Sequence, residues 1–388
     1  MKSESWMRIR VASAAGVGLA MLFITYGARA QETVEKLTVD DMDRTYLVHL
    51  PPGYDQNRKY PVMILLHGLS QSTDDMKSLT GFNEFADKNG IIAVYPRTLH
   101  GHWNLGVHPP SQQPMTRPGG RRGGGGYPGG GYPGGGGYPG GGGGYPGGGG
   151  GYPGGGGGNP SGGQSRGQGQ SEQSRPEDWD DVEFLNQMLD QMAKKFSVDA
   201  ARIYATGISE GGFMAMKVGC TMSDRIAGIA PVGAAMPKSM SCFPRKPVPV
   251  VMINGTSDPV VPHGGGTEHN LELPIVSVEA SAKAWAKLDH CAEKPTQTKL
   301  PAHEKDGMET KVDTYDGCQK GAQVVSYNVQ GGGNTWPGGQ QYQPETDIGK
   351  TSQDFNADQT IWSFLLTKKL EAKSGADDSG TDSRPNVK

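Results

Sequence analysis

Three short stretches carry residue types that could perform acyl-transfer chemistry. Gly207-Ile208-Ser209-Glu210-Gly211 has the form GxSxG, between a strand-like run, Arg202 to Thr206, and the apolar run FMAMKV. A serine on a tight strand-to-helix turn needs small neighbours on both sides and presents its hydroxyl as a nucleophile. In a glycine-rich chain GxSxG also arises by chance, as a structural Gly/Ser turn. The strand before and the helix after therefore carry more weight than the pattern. Leu66-His67-Gly68-Leu69 follows a second apolar run, VMILL. The loop after such a strand supplies one backbone N–H to an oxyanion hole, and the residue after the nucleophile supplies the other. That places the candidate donors at Leu69 and Glu210, through main chain; His67 reads as a packed residue steadying the loop, not as a general base. Asn254-Gly255-Thr256-Ser257-Asp258 follows the run VPVVMI. A lone Asp in a turn is commonly a turn residue, but its position C-terminal to the serine fits the chain order Ser…Asp…His and makes Asp258 the candidate acid.

The elements that must position these groups alternate between strand and helix. Arg44 to Leu50 reads as a strand closed by Pro51-Pro52-Gly53. Val62 to Leu66 is a continuous apolar run, as expected of a strand buried on both faces of a parallel sheet. A helix over Phe82 to Lys88 and a strand over Ile91 to Tyr95 follow. Val182, Leu185, Leu189 and Met192 fall at helical spacing behind a plausible N-cap, Asp180. Further strands are expected at Arg202 to Thr206, Val248 to Ile253 and Val324 to Val329, with helices at Glu279 to Leu288 and Gln359 to Leu370. Such alternation predicts an α/β fold with a mostly parallel sheet flanked by helices.

The 388 residues include 62 glycines, most of them in one block. Tyr127, Tyr132, Tyr138, Tyr145 and Tyr152 each precede a proline and are separated only by glycines, and a Ser/Gln/Gly tract follows. This segment holds too little apolar surface to offset its chain entropy, so residues 109–176 are expected to be a disordered insertion. It lacks the strict three-residue glycine period of collagen. It follows the run IIAVYP and so is expected to spring from the side where the loops rim a ligand site. It could tether the protein to a polymer, or be a repeat expansion in a loop that tolerates length. Residues 31–108 and 177–370 then form a single domain, and 371–388 a loose tail.

Arg8 and Arg10, the apolar run Val11 to Tyr26, and Ala28-Arg29-Ala30 read as an export signal over residues 1–30, removed before Gln31. The expected location is secreted or periplasmic, with no membrane attachment after cleavage. An oxidising compartment suits four cysteines. They allow three connectivities, of which neighbour pairing, Cys220–Cys242 and Cys291–Cys318, is the simplest. A net charge of −3 supplies no field favouring nucleic acid or an anionic membrane surface. No metal site is expected: His100-Gly101-His102 offers two ligands without a third, HExxH is missing, and Gly264-Gly265-Gly266 lacks the lysine of a phosphate loop. Trp103 and Trp336 suit either a substrate cleft or core packing.

Taken together, LLHG, RIYATGISEGG, NGTSDPVVP, SVEASAKAWAKLDHC and GGGNTWPGG resemble the secreted polyhydroxybutyrate depolymerase/feruloyl esterase-like family, related to carbohydrate esterase family one. The resemblance spans roughly Arg44 to Leu370 without the glycine block. It implies the α/β-hydrolase fold, Ser209 as nucleophile and Asp258 as acid, and it supports the neighbour pairing of the cysteines. It further implies a serine carboxylic-ester hydrolase acting without a cofactor on a polyester or on a feruloyl or acetyl ester, polymeric substrates included. One position departs from the family. Its last motif, GGxHTWPG, carries the base histidine where this chain has Asn334. A carboxamide has no basic lone pair, and removing the base of a serine hydrolase lowers turnover by roughly 10⁶. Three readings follow. His263, just beyond Asp258 and followed by His269, substitutes as base; or the protein is a weakened esterase or a silent ligand-binding protein on the same fold; or Asn334 acts by positioning water.

Overall fold

In the computed structural model, residues 30–107, 179–301 and 307–371 are described. The segment expected to be a signal (1–30), the glycine insertion (109–176) and the tail beyond Glu371 lie outside them, apart from Ala30 at the end of the signal.

Every residue of β3 (Tyr60–Leu66) is buried, because helices cover both faces of the sheet there. Val62, Ile64 and Leu66 enter one core and Met63 and Leu65 the other, following the two-residue alternation of a strand. The sheet has ten strands in the order β1 (Gln31–Val39), β2 (Met42–Leu50), β4 (Ile92–Pro96), β3, β5 (Val198–Ile208), β6 (Gly228–Val232), β7 (Val250–Gly255), β12 (Val324–Val329), β11 (Thr310–Tyr315) and β10 (Thr296–Lys299). A small separate hairpin joins β8 (Gly266–Thr267) to β9 (Pro274–Ile275).

From β4 through β12 every pairing is parallel, as the alternation predicts. Both margins are antiparallel instead. At one margin the chain has no room for a crossover: β1 and β2 are joined through Asp40 and Asp41, both at positive φ, which is the turn that matches strand twist.

Helices α3 (Asp181–Lys195), α4 (Glu210–Thr221) and α5 (Val278–Leu288) bury Phe184, Phe213 and Trp285 in one core. Helices α1 (Thr73–Thr80), α2 (Phe82–Asn89) and α7 (Ala357–Leu365) bury Leu79, Phe82 and Ile361 in the other. A short α6 (Glu345–Ile348) precedes α7. Asp180 caps α3, accepting from the N–H groups of Val182 and Glu183. The last helix ends at Leu365, before the expected Leu370, whose N–H bonds Ala201 O instead.

A buried ion pair, Arg44 with Asp181, fastens β2 to the start of α3, and the guanidinium lies 3.9 Å over the Phe184 ring. Cysteine pairing follows the neighbour pattern, Cys220–Cys242 and Cys291–Cys318. Among the described residues, no helix is long and apolar enough to cross a membrane.

Candidate functional site

The candidate residues converge where the parallel strands end, the edge at which loops rim ligand sites in open α/β sheets. Ser209 occupies the single position between β5 and α4, at φ 55° and ψ −119°. A non-glycine residue at such a φ is strained and is held only by what surrounds it. The restraint is steric. A Cβ on Gly211 would stand 2.0 Å from Leu66 O and 2.6 Å from His67 O, so only glycine lets α4 begin against the end of β3. Main-chain bonds complete the bend: Ser209 N–H donates to Val232 O at 2.9 Å, and Phe213 N–H to Ser209 O at 3.0 Å. Ser209 is half-buried, and among the described residues its Oγ has no hydrogen-bond partner.

The close approach at Gly211 brings the loop after β3 to the bend. Gly68 N–H donates to Gln71 Oε1 at 2.8 Å, and the Gly68 Cα faces Ile208 O. Leu69 thus lies on the loop that abuts the Ser209 turn, and Glu210 opens α4. His67 is buried, with Nδ1 against Gly68 O at 2.8 Å, and its carbonyl accepts from Trp103 Nε1 at 2.8 Å. Burial pushes its imidazole below the ordinary histidine value, which suits a neutral packing residue.

Asp258 and Asn334 come together from loops 76 residues apart. Asn334 Nδ2 donates to Asp258 Oδ2 at 2.8 Å and to Gly233 O at 3.1 Å. Both neighbours are acceptors, which identifies the atom facing them as nitrogen. Asn334 itself is pinned: its N–H donates to Ile348 O at 2.6 Å, and its carbonyl accepts from Tyr342 Oη at 3.0 Å. The other oxygen of Asp258 accepts from the N–H groups of Val260 and Val261, each at 2.8 Å. Burial pushes the Asp258 carboxyl up to about 6, against the pull of these three donors, and the nearby Glu268 adds to the rise.

His263 lies beyond this cluster. Its Nε2 meets Asn328 Oδ1 at 2.9 Å on β12, and none of the hydrogen bonds to Asp258 comes from it. His269 bonds Val260 O through its main-chain N–H. Trp103 and Trp336 are buried: Trp103 packs on His67, and Trp336 Nε1 donates to Asp358 at 3.0 Å. Packing, rather than a cleft, accounts for both.

Sequence reasoning passed over two residues. Tyr342, which holds the Asn334 carbonyl, stands in a polar loop with no motif to mark it. Trp179 packs against the rings of both His100 and His102, and only the adjacent Asp180 cap hinted at an ordered position there. Among the described residues, no group of three or more His, Cys, Asp or Glu side chains could hold a metal ion.

Residues 40–112 match the family described as "Putative esterase", and residues 155–303 match the one described as "Phospholipase/Carboxylesterase". "Putative esterase NocK" of Nocardia uniformis subsp. tsuyamanensis is 25% identical over 353 residues, covering 87% of this chain and 84% of its own. Feruloyl esterase B of Piromyces equi is 31% identical over 164 residues, 40% of this chain and 29% of that protein. Poly(3-hydroxyalkanoate) depolymerase C of Paucimonas lemoignei is 42% identical over 48 residues, 12% of each chain. Among solved structures, acetyl xylan esterase from Aspergillus awamori superposes with a TM-score of 0.43 at 10% identity, over 78% of this chain and 94% of that one.

Proposed function

We propose that this chain, which matches esterase families in two segments, is an exported serine carboxylic-ester hydrolase that works without a histidine base. Ser209 Oγ attacks the ester carbonyl, and the backbone N–H groups of Leu69 and Glu210 receive the oxyanion. The departing alkoxide takes a proton from water and leaves as the alcohol, and a second water hydrolyses the acyl-serine to the acid and the free Ser209 hydroxyl. Ser209 is the nucleophile in this reading because it alone occupies the strained strand-to-helix bend with the β3 loop packed against it. That observation carries the proposal.

Asn334 takes over one of the two duties of a base histidine. Its Nδ2–H reaches Asp258 as an imidazole N–H would, but it has no basic atom to offer Ser209. The serine proton therefore passes to solvent, and turnover is slow. The substrate is a carboxylic ester of the polyester, feruloyl or acetyl kind, polymeric forms included, in keeping with the names of the relatives. Two disulfides among the described residues support an oxidising destination.

A second reading has its own observation. Both amide hydrogens of Asn334 are committed, one to Asp258 and one to Gly233, as they would be in a ligand-binding protein that kept the pocket and lost the reaction. A fluorophosphonate probe and short-chain nitrophenyl esters separate the two. The hydrolase labels at Ser209 and turns over the esters above a Ser209→Ala control; a silent binder does neither.

A further inference from the structure

Beside the Leu66 to Leu69 loop lies a group of rings that the hydrolytic reading leaves unused. His100, His102 and Trp179 form a triangle of rings, the histidine centroids 4.8 Å and 5.3 Å from the indole and 6.5 Å from each other. His100 is exposed, and His102 and Trp179 are half-buried. Exposed aromatic surface is costly unless it packs or binds, and these rings stay together at the surface.

Their placement is built. Trp179 Nε1 donates to Asp181 Oδ2 at 3.3 Å, and the same oxygen accepts from Asn104 N–H at 2.7 Å. Asp181 is fully buried and paired with Arg44. The indole is thereby oriented by a carboxylate that is itself anchored in the core, which lowers the entropy lost when a ligand stacks on it. On the other flank, Ser70 N–H donates to Gly101 O at 2.8 Å. The His100–His102 turn is thus tied to the residue that follows Leu69, the proposed oxyanion donor. Trp103, next in the chain, is fastened to His67 O.

We propose that His100, His102 and Trp179 form a ring-stacking subsite that seats the aromatic ring of an ester substrate beside the oxyanion loop. The cluster presents two imidazoles and an indole whose N–H is already bonded to Asp181, so its recognition is by ring faces and edges. A saccharide would require several hydrogen-bonding groups converging from the walls, and these three rings supply few. The subsite depends on the reading of Ser209 as nucleophile only for its nearness to the reacting carbonyl.

Binding to the intact chain carrying Ser209→Ala, in which no hydrolysis occurs, tests the assignment by calorimetry. The probes are methyl 4-hydroxycinnamate, methyl hexanoate and xylobiose. Trp179→Ala in that background is expected to weaken the aryl ester about ten-fold and leave the hexanoate unchanged. Trp179→Phe, which keeps a ring, should recover most of the loss, and the paired His100→Ala/His102→Ala change should cost a few-fold. Unaltered aryl affinity in all three variants overturns the proposal. So does equal loss for aryl and alkyl esters, or tighter binding of xylobiose than of the aryl ester. If Trp179→Ala fails to fold, the Phe and histidine variants decide alone. Failure of Ser209 to label in the parent protein would remove the hydrolase and leave this result standing.

Discussion

The bend at Ser209 and the loop at Asn334 meet at one edge of the sheet, yet they are built on different terms. At the bend almost everything is main chain. A strained φ, a glycine that leaves no room for a Cβ and two backbone hydrogen bonds define the geometry together. No single side chain supplies it. The loop, by contrast, offers its chemistry through one side chain, and here that side chain is a carboxamide. It donates to Asp258 and to Gly233, so the fold keeps a satisfied buried carboxylate, and a carboxamide offers no basic atom. A steric scaffold resists piecemeal change; a function vested in one side chain can vanish without disturbing its neighbours.

That contrast breaks most readily at Asn334. Asn334→His should raise nitrophenyl-ester turnover by about 10³-fold or more over the parent, measured against Ser209→Ala, because the proposed mechanism lacks only a base. No gain would shift the weight to His263 as base. The next largest effect belongs to the bend. Gly211→Ala must push a methyl group into the Leu66 carbonyl, and chemical denaturation should show a loss of about 3 kcal/mol together with loss of fluorophosphonate labelling. A loss under about 0.5 kcal/mol, within the range of ordinary surface changes, would mean that the close approach is not what holds the turn.

The pH profile sharpens the same comparison. Without a base, the Ser209 proton leaves to hydroxide, so parent turnover corrected for Ser209→Ala should climb about tenfold per pH unit between pH 6 and 8. Asn334→His should level off above the ordinary histidine value of about 6.5. A plateau in the parent would reveal a titrating base.

The smallest effect concerns stability. Asn334→Ala leaves Asp258 Oδ2 and Gly233 O without their donor and should cost about 1–3 kcal/mol at neutral pH. Asp258 has a folded-state value near 6, above its unfolded value of about 3.9. Its protonated form therefore favours the folded state, and that advantage fades as pH rises from about 4 through 6. Losing the Asn334 donor raises the folded value further, so the deficit of the Ala variant should shrink when melting is followed down to pH 4.

Much of this was legible in the residues. The apolar runs of β3 and β4, the cap at Asp180 and the strand–serine–helix context of Ser209 are local patterns, and each stands where it was expected. Other elements were not legible. β6, Gly228-Ile-Ala-Pro-Val, carries the two residues that normally argue against a strand, and it is held by partners on both sides. β1 is largely polar and exposed, and it owes its place to a tight turn and to the buried strand beside it. His263 was attractive by nearness in sequence to Asp258, but its ring bonds β12, because nearness along a loop says little about where a side chain points.

By itself the sequence determined much of the alternation of strands and helices, the serine on its turn and the identity of the residue at 334. These depend on periodicity, on glycine where no Cβ fits and on the chemistry of one functional group. Only the tertiary structure decided what Asn334 does with its amide, which cysteines join, and that Trp179 packs against two histidines next to the Leu66 to Leu69 loop. Each of those is a contact between residues distant in the chain, and such contacts exist only once the sheet has brought its loops to a common edge.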